Sequence, residues 1–241
     1  MAVAASCGLP PLENSPEARM DALLAACQPA DENGCAQELE TFLTDDATWA
    51  DDLGIAHGRE EIARLIVERR RAGQTWQRTS NVDTHHDVFR MRMTVNGTGR
   101  IVGGGTDGER FTRIAVVQEP PLVVSATPEP VRAYQDAWNA FDEKERLALL
   151  DQGFAPDGHY VDPYIALDGT STLSENIGTY HRVSVGTRLQ VTTGASGHHG
   201  FVVFFWEVRN LEGVTMLEGM DVGQLDASGR LKLLSGFFGG F

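Results

Sequence analysis

Cysteine is scarce in this chain, and its few copies suggest no framework. The three cysteines, Cys7, Cys27 and Cys35, all lie near the start of the 241-residue sequence. An odd count without paired spacing predicts neither a disulfide set nor a zinc site. Because Cys27 follows Leu23 and Leu24 at helical spacing, we interpret it as a buried thiol and expect a reducing, cytoplasmic location.

Long apolar runs and excess positive charge are also missing. No stretch approaches the roughly 18–20 apolar residues of a membrane helix. Residues 1–14 lack a basic segment followed by an apolar core, so we predict a flexible N-terminus and no signal peptide. The formal net charge of −14 disfavours binding to nucleic acids and to anionic membrane surfaces. With 41% hydrophobic and 22% charged residues, the chain is globular and long enough for two ordinary domains.

The chain contains two copies of one pattern. The segment FLTDDATWADDLGIAHGREEIARLI begins at Phe42, and FAPDGHYVDPYIALDGTSTLSENI begins at Phe154. A second match joins THHDVFRMRMTV, from Thr84, to GHHGFVVFFWEV, from Gly197, and the two matches have nearly the same offset of about 111 to 113 residues. Two matches in one register predict a tandem duplication. Its boundary is expected in the proline-bearing stretch 120–130.

Hydrophobic periodicity orders the elements of the second copy. Helices are predicted over residues 129–140, 142–150 and 170–180. Strands are predicted over residues 159–162, 188–193, 201–208, 215–225 and 231–237. Helices followed by a strand meander indicate an antiparallel sheet with helices on one face. The first copy follows the same order, with helices over residues 16–26, near 36–43 and over 59–71.

This order, together with three motifs, resembles the nuclear transport factor 2-like superfamily, especially its SnoaL-like and ketosteroid isomerase-like branches. The motifs are AYQDAWNAFD in the first helix of the second copy, HYVDP after the second helix and GMDVGQL in the third long strand. The resemblance implies an α+β fold of two tandem cone-shaped domains, each with three helices packed on a strongly curved antiparallel sheet. We therefore predict a degenerate domain over residues 15–126 and a domain with the active site over 127–241.

Asp162 is the first candidate catalytic residue. It precedes Pro163, which keeps the neighbouring backbone extended. The resemblance implies that Asp162 is a general base, because the isomerases use the Asp of the matching Asp-Pro in this role. The chemistry requires a carboxylate in an apolar pocket. An ordinary turn after a strand is the alternative reading of Asp-Pro.

The other two catalytic candidates would stabilise developing negative charge. Tyr134 lies on the inward face of its helix, where the isomerases keep an oxyanion-binding tyrosine, and a core aromatic is the alternative. Asp221 lies in mid-strand, where Asp is unfavourable. It matches the carboxylic acid that the isomerases keep protonated as a second donor. Because Glu218 is an odd number of residues away, the two acids face opposite sides, and we expect Asp221 inside.

Further side chains are expected to bind the substrate around this centre. They are Trp138, Tyr160, Tyr164, Tyr180, His199, Trp206 and Phe237. We place Trp206 and Phe204 on opposite faces of their strand, so that one lines the pocket or core and the other meets a partner surface.

Two histidine pairs stand at the heads of corresponding strands, His85–His86 and His198–His199. Adjacent residues of a strand point to opposite faces, and no acidic or cysteine partner lies at ligand spacing. We therefore expect no metal site, and we expect one histidine of each pair to face inward.

The first copy departs from the pattern of the second. Its first helix, PEARMDALLAACQ, contains no tyrosine, and our alignment places Arg113 at the position of Asp221. Asp51 or Asp52 remains near the position of Asp162, without a following proline. We expect a degenerate partner that forms an intrachain pseudo-dimer with the second copy, as family members commonly pair sheet to sheet. Further oligomerisation stays open.

Together these residues predict a cofactor-free general acid/base enzyme acting on an apolar, polyketide- or steroid-like small molecule. The reaction would be an isomerisation or intramolecular cyclisation through a stabilised oxyanion, and the resemblance points to secondary metabolism. One alternative is an epoxide hydrolase/cyclase of polyether type, for which Arg188 and Asn176 are candidates to hold a water. The other is a non-catalytic ligand-binding or scaffold module.

Overall fold

A computed structural model describes residues 15–28, 31–120 and 127–240. The expected flexible segment, residues 1–14, lies outside the described residues. The expected domain boundary at 126/127 lies where the description resumes after residues 121–126. The elements of the first half are α1 (Pro16–Ala25), α2 (Glu32–Leu39), β1 (Leu43–Asp51), β2 (Gly54–His57), α3 (Gly58–Arg71), β3 (Trp76–Arg78), β4 (Asp83–His85), β5 (Val88–Val95), β6 (Thr98–Thr106) and β7 (Phe111–Gln118).

The second half repeats this order of elements. They are α4 (Glu129–Asn139), α5 (Glu143–Gly153), β8 (Phe154–Asp162), β9 (Ile165–Asp168), α6 (Gly169–Val183), β10 (Arg188–Val191), β11 (Ser196–His198), β12 (Phe201–Arg209), β13 (Thr215–Leu225) and β14 (Leu231–Phe238). The short strands β2, β4, β9 and β11 were not expected, and β8 begins five residues before the strand predicted at residue 159.

Each half forms one seven-stranded sheet. The strand order is β2-β1-β7-β6-β5-β3 in the first sheet and β9-β8-β14-β13-β12-β10 in the second, with β4 and β11 paired to β5 and β12. The α+β class with two tandem domains is confirmed. Most strand pairs are antiparallel, while β1 with β7 and β8 with β14 run parallel.

The repeated glycine of the sequence motif has a structural reason. Gly58 and Gly169 each begin the long helix that follows a short strand, with φ of 74° and 82°. Glycine adopts this left-handed backbone without a steric cost. A Cβ at Gly169 would also lie 3.0 Å from the carbonyl oxygen of Pro156. The motif therefore marks the sharp turn from strand to helix in both halves.

Strand pairing confirms the duplication at the level of single residues. Trp49 pairs with Ile114 in the first sheet as Tyr160 pairs with Leu234 in the second. The histidine pairs occupy equivalent β-hairpins, since His85 pairs with Val88 as His198 pairs with Phe201.

The two halves pack sheet against sheet. A helix-covered core lies inside each half, and a third cluster of buried apolar side chains joins the outer faces of the two sheets. Met220 and Val222 of β13 belong to this third cluster. A Cβ at Gly103 would lie 2.7 Å from a methyl carbon of Val222, so the missing side chain makes room for this contact between the sheets. This arrangement fits the expected intrachain pseudo-dimer.

The cysteines differ from the expectation. Cys27 is buried as predicted, but it is not a free thiol, because a disulfide joins it to Cys35 across a Cα–Cα distance of 4.7 Å. The bridge connects the turn after α1 to α2. The linear spacing of eight residues did not reveal it, since the packing of α2 beside that turn brings the two residues together. Among the described residues, no helix has the length and apolar character needed to cross a membrane.

Candidate active site

The second half contains an apolar cavity of about 360 Å³ that opens to the surface beside the exposed side chains of Tyr164 and Val183. Aromatic side chains dominate its wall, and no lysine or arginine lines it within the described residues. The lining comes from α4 (Tyr134, Trp138), β8 and its turn (Tyr160, Asp162, Tyr164, Ile165), α6 (Asn176, Thr179, Tyr180, Val183) and the sheet (Leu189, Trp206, Val208, Leu217, Phe238). A wall of this kind fits an uncharged apolar molecule.

Asp162 is the carboxylate of this wall. It ends β8 and is only 5% exposed. Its Oδ1 accepts hydrogen bonds from the backbone N–H groups of Tyr164, at 2.8 Å, and Ile165, at 3.1 Å. The hydroxyl of Tyr160 donates to Oδ2 at 3.1 Å. Pro163 has no N–H, so the carboxylate bonds to the next two residues and its direction is fixed by its own turn.

Tyr134 lies on the buried face of α4 and is 2% exposed. Its ring centre is 6.3 Å from that of Trp138 and 6.5 Å from that of Tyr160. Burial, together with the nearby Asp221, raises the pKa of Tyr134 well above its usual value. Its phenol therefore keeps its proton and can donate one hydrogen bond, either to Asp221 or to an acceptor placed in the cavity.

Asp221 faces the interior of the cone, as its strand parity predicted. It is 1% exposed, and Trp206 donates from Nε1 to its Oδ1 at 2.6 Å. Its Oδ2 is buried without a hydrogen-bond partner among the described residues. Burial raises the pKa of Asp221 to about 7, with Asp162 adding to the rise while bonds from Trp206 and Tyr134 oppose it.

Asp221 nevertheless differs from its expected place in one respect. It is not among the residues that line the cavity, whereas its neighbours Tyr134 and Trp206 are. The carboxyl group therefore lies behind the wall, in contact with these two side chains. Glu218 is exposed, as expected of the opposite face of the strand.

Among the expected substrate-binding residues, five line the cavity: Trp138, Tyr160, Tyr164, Tyr180 and Trp206. Phe237 is a correction, because it packs between the two sheets in the third apolar cluster. Its neighbour Phe238, which was not expected, lines the cavity in its place. A β-bulge between Leu231 and Leu233 shifts the alternation of β14, so counting inward positions from the start of the strand gives the wrong phenylalanine.

Two further expectations about the sheet were wrong. His199 is exposed, at the β11–β12 turn with a φ of 49°, and lies outside the cavity. Phe204 and Trp206 share one face of β12 and one core, because residues two apart in a strand point the same way. The opposite face carries Val203, which packs between the sheets.

The first half has no counterpart of this site within the described residues. Its α1 buries Met20 and leucines. Val102, and not Arg113, occupies the position of Asp221, because Val102 pairs with Val116 as Asp221 pairs with Gly236. The first half therefore has no carboxyl group at the position of Asp221, because Val102 occupies it.

Large side chains also pack together inside the first cone. Trp49 stands where the second half has Tyr160, and its ring packs 5.9 Å from that of Trp76, over which the Arg70 guanidinium lies at 4.5 Å. Asp51, at the position of Asp162, is held by an ion pair with Arg69 at 3.4 Å. No group of three or more potential metal-binding His, Cys, Asp or Glu side chains is found in the part of the chain that the structure describes.

The sequence matches no family model and no curated protein. Solved structures are similar to one half of the chain at a time. A proposed isomerase of the SnoaL-like family from Agrobacterium tumefaciens strain C58 is 29% identical, with a TM-score of 0.44, over 46% of this chain and 95% of that one. An NTF2-like protein of unknown function from Exiguobacterium sp. 255-15 is 18% identical, with a TM-score of 0.39, over 46% of this chain and 99% of that one.

A third structure carries an activity in its description. A proposed polyketide cyclase from Sinorhizobium meliloti is 15% identical, with a TM-score of 0.37, over 45% of this chain and 94% of that one. Each of these matches covers about half of this chain. The tandem duplication itself is seen in the structure, where both halves have the same order of elements and the same strand order.

Proposed function

We propose that the second half is a cofactor-free acid/base enzyme that moves a proton next to a carbonyl group of an apolar substrate. The observation that carries the proposal is the carboxylate of Asp162 in the wall of an otherwise apolar cavity that it shares with the buried phenol of Tyr134. A base and a donor facing one cavity are what enolisation requires.

In this mechanism Asp162 removes a proton from the carbon beside the carbonyl. The electrons of the broken C–H bond move into the carbonyl, and the resulting enolate oxygen accepts a hydrogen bond from the Tyr134 hydroxyl. Asp162 then returns the proton to another carbon, which completes an isomerisation. Alternatively, the enolate carbon attacks a second carbonyl of the same molecule and closes a ring, and the proton held by Asp162 passes to the alkoxide oxygen that this attack creates.

Asp221 supports the donor from behind the wall. Because Oδ1 accepts from Trp206, Oδ2 is the oxygen left to carry the proton of the neutral acid. A neutral Asp221 adds no negative charge beside the enolate, whereas an ionised one would repel it. Activity should therefore depend on the raised pKa of this acid.

Asn176 keeps a second reaction open. It lines the cavity with Asp162 and offers an amide that can orient a water molecule, as the opening of an epoxide would need. Arg188, the other residue considered for this role, is exposed on β10 and is not part of the wall.

The test is turnover of a panel of apolar enones, diketones and epoxides by the wild type and single variants. We expect Asp162→Asn to lower kcat about 10²–10⁴-fold and Tyr134→Phe to lower it about 10²–10³-fold. Asp51→Asn is the matched control, because Asp51 occupies the equivalent position in the first cone. Unchanged turnover in Asp162→Asn would refute the mechanism, and binding without turnover across the panel would favour a ligand-binding module.

A further inference from the structure

A histidine of the first half contacts the backbone beside the site of the second half. Nε2 of His85, at the end of β4, lies 2.9 Å from the carbonyl oxygen of Gly236 in β14. Because a carbonyl oxygen only accepts hydrogen bonds, Nε2 carries the proton. The imidazole also packs against the ring of Phe237, with centroids 4.6 Å apart.

The other side of Gly236 faces the two carboxylates. A Cβ added at this glycine would lie 3.2 Å from Oδ1 of Asp221, 3.5 Å from the hydroxyl oxygen of Tyr160 and 3.6 Å from Cβ of Asp162. Gly236 also pairs directly with Asp221 in the sheet. Because Gly236 has no side chain, its backbone contacts this region directly. A displacement of the Gly236 backbone would therefore change the packing around Asp221 and Asp162.

A buried arginine of the first half holds the next residues of the same segment. Arg90 is 2% exposed, and its guanidinium donates to the carbonyl oxygens of Phe238, Gly239 and Gly240 at 3.1 to 3.2 Å. Phe238 in turn lines the cavity, and its ring lies 5.7 Å from those of Trp206 and Tyr164.

Arg90 has no counterpart in the second half. Strand pairing places Val203 at the equivalent position, since Arg90 pairs with Gly103 as Val203 pairs with Val222. The first half thus contributes a buried cation, Arg90, to the segment that lines the cavity of the second half.

We propose that His85 and Arg90 are positioning residues that hold residues 236–240 in place, so that the first half completes the acid/base site of the second half. The catalytic consequence rests on the proposed function, but the effect on Asp221 does not. Loosening this segment admits water beside Asp221 and returns its ionisation toward that of an ordinary carboxyl group.

The pseudo-symmetry of the chain supplies a matched control. His198 of the second half lies with Nε2 2.7 Å from the carbonyl oxygen of Val116 in β7, which is the equivalent bond in the opposite direction. His198→Ala removes the same kind of bond between the halves, but next to the first cone. A purely structural role predicts similar effects of His85→Ala and His198→Ala.

The experiment follows the indole Nε1–H signal of Trp206 by NMR across pH in the full-length protein, because this group donates to Asp221. We expect His85→Ala to lower the midpoint of this titration by about half a unit or more, and to weaken binding of a fluorescent naphthol, a phenolate mimic of the enolate, by roughly tenfold. His85→Gln keeps a donor and should restore both values, and His198→Ala should leave both unchanged.

Equal responses of His85→Ala and His198→Ala, or no shift of the Trp206 midpoint in a folded His85→Ala, would overturn the inference. If His85→Ala does not fold, Arg90→Lys is read in the same assay and should shift the midpoint in the same direction. If the wild type turns over no substrate, the proposed function fails, while the Trp206 titration still decides the role of His85. With an active wild type, kcat should fall about tenfold in His85→Ala and not in His198→Ala, with KM changing less.

Discussion

Replacing Asp221 with asparagine should change how the stability of this protein depends on pH. The carboxyl group is 1% exposed, and burial raises its pKa from 3.8 to about 7. The folded protein therefore binds this proton more tightly than the unfolded chain does. The wild type should lose stability from this group as pH rises from about 4 to about 7, and the loss is complete above that range. Asparagine keeps the shape and an oxygen for Trp206, and it cannot ionise.

The magnitude follows from the two pKa values. A difference of about 3 units, at 1.36 kcal/mol per unit, gives a loss on the order of 4 kcal/mol over the whole range. Part of this loss of stability has already occurred at pH 5, so the further loss between pH 5 and pH 8.5 is roughly 3 kcal/mol. Titrating groups that do not interact with Asp221 are common to both proteins and cancel in the difference of their unfolding free energies, whereas Asp162 is coupled to Asp221 and contributes to that difference.

The assay is urea unfolding of the wild type and Asp221→Asn at several pH values between 5 and 8.5. We expect the unfolding free energy of the variant minus that of the wild type to rise by roughly 3 kcal/mol between pH 5 and pH 8.5. Glu218→Gln is the control, because Glu218 lies on the exposed part of the same strand and should give a curve parallel to the wild type. Parallel curves for Asp221→Asn would mean that Asp221 is ionised or hydrated in the folded protein, and would refute the reasoning.

Two further predictions concern activity and the disulfide. In turnover assays, kcat/KM should fall as pH rises above about 7, because ionisation of Asp221 places negative charge behind Tyr134; a profile that stays level to pH 9 would contradict the role of Asp221. Reducing the Cys27–Cys35 bond, which closes a short loop, should lower the free energy of unfolding by about 2–3 kcal/mol. Urea unfolding with and without dithiothreitol measures this, with a Cys27→Ser/Cys35→Ser variant that should not respond to the reductant.

Much of the fold could be predicted because its signals are local and occur twice. The turn at Gly58 and Gly169 requires a positive φ, so the same glycine precedes both long helices. The amphipathic stripe of α4 buries Val131, Tyr134 and Ala137 as its spacing indicated. The parallel pairing of β8 with β14 is a contact between distant parts of the chain, and nothing in either strand's periodicity specifies its neighbour.

The site could be predicted in part for the same reason. Asp162 is oriented by its own turn, and the sequence HYVDP contains that information. The inward direction of Asp221 follows from alternation, because β13 is regular around it. Alternation failed for Phe237, where an upstream bulge shifts the strand by one residue. The fact that Asp221 lies behind the cavity wall could not be predicted, since it depends on how Trp206 and Tyr134 pack in front of it.

The histidine pairs show which part of the duplicated pattern serves the assembly of the halves. His85 and His198 each reach across to the other sheet, so both copies of the motif are needed for one nearly symmetric interface. The acid/base pattern is present once, because Asp221 is replaced by Val102 and Asp51 is held by Arg69 in the first half. A single chain can keep a symmetric interface and abandon one of two cavities, which a homodimer of identical copies cannot do. The first half can then carry a residue such as Arg90, which pairs with Asp83 of its own half and also donates to the backbone of the second.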